Sequence, residues 1–406
     1  EEATRIGDDA VRMAEESVKI AGDDLMAHYA LARALHLRAV LVDSQGREAS
    51  MGPAIAAWQR VLELDPKFTW AINELGMAYM ATAKMADKRG QDVKKDVEAA
   101  IAQFDRAIAV DPSFLSPAYE KLQALNWLVR REINANRADT APVAAMLDAL
   151  GALEKLPDTN SWRRAFWKTR THRLLARREF VLGRDPRPSC QKVVEIVDAY
   201  LKDQPKESGL LAEVTYCHFV LACDAINKGL DSHAEIEAAR SALVENAKVR
   251  GKMTPDMREL GADIELAAIR AIKRPEDIKI EAWDAPFALL NPLNDGGANS
   301  HAFHKVAARI YAQRALWAQR IGKHNEKDID VGFEMAEKAL AKNPHESEAL
   351  LAKGLLYLTQ ALAAKPGNTR TDLARQAQTA LESAFHEDPM LKREHENDRL
   401  EAAGLH

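Results

Sequence analysis

Two histidines, His301 and His304, stand three residues apart, and Asp295 stands shortly before them. Residues three apart on a helix can share a face and form one site. On one helix face, the two histidines could hold a metal ion, and an enzyme site built from all three residues would need that metal. No further acidic or cysteine residue stands at ligand spacing, so the sequence favours helix-capping or solvent-facing histidines. The run Asp295-Gly-Gly297 resembles an anion-binding nest, but a plain turn into the next helix accounts for it.

The motifs of common enzyme classes are missing from the sequence. It contains no Walker loop, dinucleotide fingerprint, Gly-x-Ser-x-Gly elbow or His-Glu-x-x-His zinc motif. The three cysteines, Cys190, Cys217 and Cys223, form no Cys-x-x-Cys pair and are too few for a disulfide framework. We therefore expect a protein that is not an enzyme and that uses no cofactor or metal.

The strongest local charge feature is the segment Ser161–Arg178, which contains seven basic residues, no acid and three interleaved aromatic residues. If this segment is a helix that lines a groove, part of it could bind an acidic or phosphorylated peptide. A nucleic-acid backbone is a weaker alternative. The alternative is that its arginines cover neighbouring helices and pair with Glu154 and Glu195. The candidate binding residues in this segment are Arg163, Arg164, Lys168 and Arg170.

Composition narrows the fold and the partners. The 406 residues are 47% hydrophobic, 29% charged and 6% aromatic, which indicates a folded chain rich in helix formers. A net charge of -5 gives no global attraction to nucleic acid or to an anionic membrane. The most apolar stretch, Leu210–Ile226, is interrupted by charged residues, so we expect no membrane insertion. We expect a cytoplasmic location, or an extracytoplasmic one if a signal or membrane segment precedes residue 1.

A helical repeat underlies the whole sequence. Prolines follow helix-like runs every 37 to 52 residues, at Pro66, Pro112, Pro157, Pro205, Pro255, Pro292, Pro344 and Pro389. The clearest unit combines Ile72, Leu75, Gly76 and Tyr79 with Ala100, Phe104 and Ala107. The same frame recurs with Gly354, Tyr357, Ala377, Leu381 and Ala384. Each repeat is predicted to be a helical hairpin whose tip carries a glycine, such as Gly183, Gly229 or Gly322.

These units resemble tetratricopeptide (TPR) repeats with elongated hairpins. The resemblance implies an all-α, right-handed solenoid whose first helices line a concave groove. Two segments, Phe180–Pro188 and Phe385–Glu394, resemble the C-terminal TPR arrays of bacterial serine/threonine protein kinases. Such arrays recruit or sense protein partners beside a kinase domain, and no kinase motif stands in this sequence.

The repeat frame divides the chain into an orphan helix, eight repeats and a cap. Residues 1–22 would form the second helix of an incomplete repeat, and 390–406 a polar helix that closes the apolar end of the solenoid. The second helix of the sixth repeat is predicted over 276–290. The predicted repeats are 23–66, 67–112, 113–157, 158–205, 206–255, 256–292, 293–344 and 345–389.

The groove-facing positions of the first helices are aromatic, amide, charged and methionine residues, which suit an adaptable peptide-binding surface. We therefore predict a scaffold that binds a protein or peptide partner in its groove, with neither nucleic acid nor membrane as a partner. The alternative is a small-ligand-binding TPR protein accessory to a transporter. Besides the basic segment, the predicted groove residues are Tyr29, Arg33, Asn73, Glu74, Met77, Tyr119, Gln123, Asn126, Tyr216, Phe219, His304, Lys305 and Tyr311.

Overall fold

The computed structural model describes residues 2–45, 49–89, 91–135, 141–155, 161–204, 209–294 and 301–405, and all regular structure in these ranges is helical. The predicted all-α fold class is confirmed. The first nine helices are α1 (Glu2–Ala21), α2 (Leu25–Ser44), α3 (Gly52–Leu64), α4 (Thr69–Lys88), α5 (Lys94–Val110), α6 (Ser116–Asn134), α7 (Ala141–Glu154), α8 (Ser161–Val181) and α9 (Arg187–Asp203). The remaining helices are α10 (Leu211–Asn227), α11 (His233–Arg250), α12 (Pro255–Arg270), α13 (Asp284–Asn294), α14 (His301–Arg320), α15 (Glu326–Lys342), α16 (Ser347–Ala363), α17 (Asn368–Glu387) and α18 (Pro389–Ala403).

The chain forms two compact units. The first comprises Glu1–Val129 and Thr140–Thr159, and the second comprises Arg130–Asp139 and Asn160–His406. Two of the prolines that mark repeat ends, Pro157 and Pro205, lie outside the described residues.

Hairpin packing in both units places the repeat's signature residues against each other. In the first unit, Gly76 of α4 lies against the ring of Phe104 of α5, and a Cβ atom at Gly76 would come within 2.6 Å of that ring. In the second unit, Gly354 of α16 meets Leu381 of α17 in the same way, also at 2.6 Å. The two hairpins thus share a close helix crossing that a side chain would block. This shared crossing is the TPR-like feature of the fold.

The second unit arranges its helices in two alternating layers. α8, α10, α12, α14 and α16 contact one another in order, and we call them the inner layer. α9, α11, α13 and α15 each pack between two inner helices, and α17 packs between α16 and α18. Glycines close three of the hairpin tips in the left-handed region, at Gly183, Gly229 and Gly322 with φ of 70°, 67° and 71°. A left-handed residue at a helix end is the role for which glycine is preferred.

α18 lies against the inner layer. It contacts α17 and α16, as a helix at the end of the repeats should, but it also contacts α8 and α10. Because α8 and α16 are the first and last inner helices, the layer must curve around α18 to bring both against it. The concave face predicted as the partner-binding groove is therefore occupied by α18 in this unit.

The second helix of the sixth repeat differs from its prediction. Instead of one helix over 276–290, the chain makes two short 3-10 turns, Pro275–Asp277 and Ile280–Trp283, before α13 begins at Asp284. Pro286 explains the difference, because proline is tolerated in the first turn of a helix and breaks a helix interior. A helix that starts at Asp284 places Pro286 in that first turn.

One described helix, α2, has the length and the mean hydropathy, 1.2, of a membrane-spanning segment. In the first unit this helix instead packs between α1 and α3. It buries Ala32 and Ala39 on one side and leaves Leu37 and Val40 exposed. These contacts are those of a helix within a hairpin repeat.

We predict that Gly76→Ala lowers the free energy of unfolding by about 1 to 3 kcal/mol, because the added methyl group would overlap the Phe104 ring. Gly151 is the matched control. It is also inside a helix of the first unit, and a Cβ atom there would meet nothing within 4 Å. Gly151→Ala should therefore raise stability by about 0.5 to 1 kcal/mol. Urea denaturation followed by circular dichroism measures both, and equal effects of the two substitutions would contradict the proposed close crossing.

Candidate functional site

Four carboxylates attach α18 and the residue before it to the inner layer. Arg177 of α8 pairs with Asp388 at 3.0 Å, and Arg270 of α12 pairs with Glu394 at 2.5 Å. Arg320 of α14 completes the set through Asp398 at 2.7 Å and Glu401 at 2.5 Å. Three inner helices thus supply arginines to one helix. Such charge-assisted contacts fix both the position and the direction of α18.

Apolar contacts seat the first turn of α18. Met390 is 5% exposed and belongs to the same buried cluster as Phe180 and Phe219. The hydroxyl of Tyr216 donates a hydrogen bond to Met390 Sδ at 3.1 Å. Burial raises the pKa of Tyr216 to about 12. Tyr216 and Phe219, both predicted to face the groove, therefore lie against a helix of their own chain.

His395 joins α18 to α12 at a break in the helix, where its φ of -127° and ψ of 15° are not helical. Its Nε2 atom lies 3.0 Å from Nη1 of Arg270, and its Nδ1 atom lies 2.7 Å from Oδ2 of Asp398. A guanidinium can only donate, so Nε2 accepts and Nδ1 carries the hydrogen that is donated to Asp398. The imidazole is 3% exposed, and the two contacts satisfy both of its nitrogens.

A second ion-pair network lies beneath α18 and links α12, α14 and α16. The buried Arg309 pairs with Asp263 and, at 3.3 Å, with Glu348. Burial raises the pKa of Asp263 above its usual value, although the Arg309 charge acts to lower it. Lys305 lies 2.8 Å from Glu259 and 3.7 Å from Glu348. Lys305, a predicted groove residue, is thus held between neighbouring helices.

The predicted basic segment is helix α8, and its aromatic residues form a stacked surface. The rings of Trp162 and Phe166 stack at 5.0 Å, and the Arg170 guanidinium lies over the Phe166 ring, also at 5.0 Å. Burial lowers the pKa of Arg170, against the opposing effect of Glu213 at 3.8 Å. Glu213 also pairs with Arg173 at 2.7 Å. The carboxylate partner of this part of α8 is therefore one that the sequence did not nominate.

The other basic candidates of α8 lie at the partly exposed surface of the helix. Arg163, Arg164 and Lys168 are partly exposed, and each also interacts with other residues of the chain. Glu195, predicted as an acidic partner for this segment, pairs with Lys192 of its own helix at 2.8 Å. The basic helix therefore keeps partly exposed cationic side chains beside an aromatic stack.

In the first unit, the predicted groove residues of α2 and α4 lie near each other. Tyr29 packs edge-on against Trp58 at 5.3 Å, and Arg33 is exposed with Nη1 3.4 Å from the Tyr29 hydroxyl. Glu74 lies 3.8 Å from His36. Burial raises the pKa of Glu74, although Arg33 acts to lower it. These side chains form a small polar surface on α2 and α4.

The amide and methionine candidates of the first unit are more buried. Asn73 is 4% exposed, its Nδ2 atom donates to Met77 Sδ at 3.6 Å, and its Oδ1 atom has no partner within the described part of the chain. Asn126 donates to the Leu122 carbonyl at 2.9 Å. Tyr119 is buried at 2% exposure, and Gln123 is half-buried. Tyr119 therefore offers little surface to a partner.

The two histidines considered as metal ligands contact different neighbours, a carboxylate and an aromatic ring. His301 Nε2 lies 2.7 Å from Glu346, and His304 is 3% exposed with its ring 5.7 Å from Phe303. Asp295 lies outside the described residues. Within the described ranges, no group of three side chains is placed to hold a metal ion.

Tyr311, the last predicted groove residue, packs edge-on against Phe287 of α13 at 5.1 Å. The Arg314 guanidinium lies 5.5 Å from the Tyr311 ring centroid and 4.4 Å from that of Phe287. Tyr311 therefore contributes to the contact between α13 and α14.

Sequence reasoning missed the residues that organise this site: Arg177, Arg270, Arg309, Arg320, Asp388, Glu394 and Asp398. A signal for part of the set was present, because arginines interrupt the apolar pattern of the inner helices. Along the chain, Asp398 stands 78 residues from its partner Arg320, and Asp388 stands 211 residues from its partner Arg177. Spacing rules for a single helix therefore do not connect them.

Comparison with known proteins gives structural similarity only. No known protein family matches the sequence, and no curated protein matches it. The crystal structure of the P58(IPK) TPR domain is similar over 94% of this chain and 98% of its own, with 13% identity and a TM-score of 0.26. The human IFIT1 dimer with m7Gppp-AAAA is similar over 91% and 95%, with 12% identity and a TM-score of 0.28. Naa15/Naa10 bound to HypK-THB is similar over 98% and 67%, with 13% identity and a TM-score of 0.23. Similarities at these levels do not identify a shared function.

We predict that Asp398→Asn destabilises the second unit by about 2 kcal/mol near neutral pH. Burial acts to raise the pKa of Asp398, but the hydrogen bond from His395 and the Arg320 charge outweigh it and hold the pKa at about 2. Because this value lies below that of an unfolded aspartate, the stabilisation is present above about pH 4 and is lost as the pH falls toward about 2.

Urea denaturation of both proteins at several pH values measures this effect. The difference between wild type and Asp398→Asn should shrink as the pH falls through this window. The control is Asp372→Asn, which removes an exposed carboxylate paired with Arg375 at 3.2 Å and should cost less than about 1 kcal/mol. A wild-type advantage over Asp398→Asn that is the same at pH 7 and pH 2 would contradict the assignment.

Proposed function

We propose that the protein is a non-catalytic interaction scaffold that binds carboxylate-rich segments of a protein partner along α8. The observation that carries this proposal is that α8 already takes part in binding such a segment. Its residue Arg177 holds Asp388 at 3.0 Å, as part of the set of arginines that seats α18. The basic residues Arg163, Arg164 and Lys168 lie on the same helix, nearer its N-terminus.

Charge supports an acidic partner over other classes. Between Ser161 and Val181, α8 carries seven basic residues and one acid, Glu179. The chain as a whole has a net charge of -5, so its field does not favour nucleic acid. Arginine binds carboxylates and phosphates through paired hydrogen bonds, which suits an acidic or phosphorylated peptide. The stacked rings of Trp162 and Phe166 add an apolar contact beside these charges.

The resemblance to kinase-associated arrays supports a finer proposal, that this scaffold recruits partners for an attached kinase. The two segments that carry the resemblance, Phe180–Pro188 and Phe385–Glu394, lie together in the second unit. Phe180 and Met390 share a buried cluster. Arg393 lies beside Gly183, where a Cβ atom would be 3.3 Å from Arg393 Nη2. The two segments that carry the resemblance are therefore in contact with each other.

The test is a charge reversal on α8. An array of acidic 15-residue peptides from the host proteome, with phosphorylated versions, is probed with the full chain, and the hits are re-measured by fluorescence anisotropy. We expect the triple substitution Arg163→Glu, Arg164→Glu and Lys168→Glu to weaken binding by about tenfold or more, and high salt to weaken it as well.

The control is an equal charge change elsewhere in the same unit. Lys192, Lys202 and Lys248 are exposed on α9 and α11, and their substitution by glutamate should change affinity less than about twofold. Circular dichroism verifies that both triple variants fold. If both variants bind as wild type does, the α8 surface is not the site. If no acidic peptide binds the wild-type chain, the scaffold proposal fails for this partner class.

A further inference from the structure

A cavity of about 490 Å³ lies in the second unit beside α18. Its walls come mainly from the C-terminal end of α12 and the 3-10 turns that follow it, from α14, and from residues 393–398. Exposed residues such as Lys273 and Asn397 line it, so it opens to solvent. This volume falls in the range of small-molecule sites, which are usually about 300 to 1,000 Å³.

Part of the cavity wall is apolar and aromatic. Aliphatic side chains line it at Ile269, Ile272, Leu316 and Leu355. The rings of Trp283 and Trp317 also line it, with their centroids 5.8 Å apart. An aromatic or branched aliphatic group would replace water against these side chains, which is the main source of affinity in such sites.

One polar group in this wall lacks a partner. Trp283 is 2% exposed, and its indole Nε1 has no hydrogen-bond acceptor among the described residues. The neighbouring Trp317, by contrast, donates to the Pro275 carbonyl at 2.8 Å. Because Nε1 exposes almost no surface, it does not contact the cavity, and Trp283 contributes to the wall as an apolar group.

The charges around the cavity favour a negatively charged ligand. The three carboxylates that line it are each paired with an arginine: Glu394 with Arg270, Asp398 with Arg320, and Glu396 with Arg399. Two further lining cations, Lys273 and Arg393, are exposed and make no ion pair within the described ranges. The balance of unpaired charge in the wall is therefore positive.

We propose that this cavity is a binding site for a small carboxylate with an apolar or aromatic body. The apolar body lies against Trp283 and the aliphatic wall, and the carboxylate faces Lys273 and Arg393. The site is separate from the α8 surface, so either one can function without the other.

Three probes with the same body and different head groups test the site by isothermal titration calorimetry: 4-phenylbutyrate, 4-phenylbutanamide and 4-phenylbutylamine. The wild-type chain should bind the carboxylate most tightly, the amide less tightly and the amine least, because their head groups are negative, neutral and positive. A common affinity for all three would overturn the assigned charge preference. An absence of saturable binding by any of them would overturn the site.

Two substitutions locate the binding. Ile272→Trp fills the cavity and should abolish binding of 4-phenylbutyrate. Lys273→Glu should raise its Kd about tenfold and favour the amine, whereas Lys279→Glu, a matched change at an exposed residue outside the cavity lining, should change Kd less than about twofold.

If 4-phenylbutyrate binds the Ile272→Trp and Lys273→Glu chains as it binds wild type, the ligand sits elsewhere and the proposal is overturned. Thermal unfolding of each variant without ligand verifies that the fold is kept.

Discussion

Partly buried arginines in the inner layer of the second unit are paired with carboxylates, and α18 is the helix that brings several of them. An unpaired charge in such a place costs several kcal/mol, while a pair with good geometry roughly offsets its own desolvation. Arg270 pairs with Glu394 and Arg177 pairs with Asp388. Both carboxylates come after the last inner helix in the sequence. The curvature of the layer, the position of the last helix and the cavity beside it all depend on these contacts.

Local sequence features predicted the helices well, because local physics sets them. The glycine at a hairpin tip, the apolar period and the proline after a second helix each act within a few residues. The main error, over 276–290, came from reading periodicity past Pro286, whose ring favours a helix start at Asp284. A stricter use of the proline rule would have moved that helix start.

The site was less predictable, because it depends on contacts between distant residues. The repeat frame marked Tyr216 and Phe219 as inward-facing, and they do face inward, but toward α18. The polar character of residues 390–402 favoured a cap on the last repeat, and nothing local shows that these carboxylates meet arginines of α8 and α12. Similarly, the cavity wall combines residues of α12, α14 and α18 that no single motif contains.

The contact between α8 and α18 also sets an order for folding. A linear array of repeats gains stability from neighbour to neighbour and can form while the chain is still being synthesised. The contact between Arg177 and Asp388 spans 211 residues, so it forms only after every other helix of the second unit has been made. Until then Arg177 and Arg270 lack their carboxylate partners. Closure by α18 is thus the last step, and it joins the first and last inner helices into one cooperative unit.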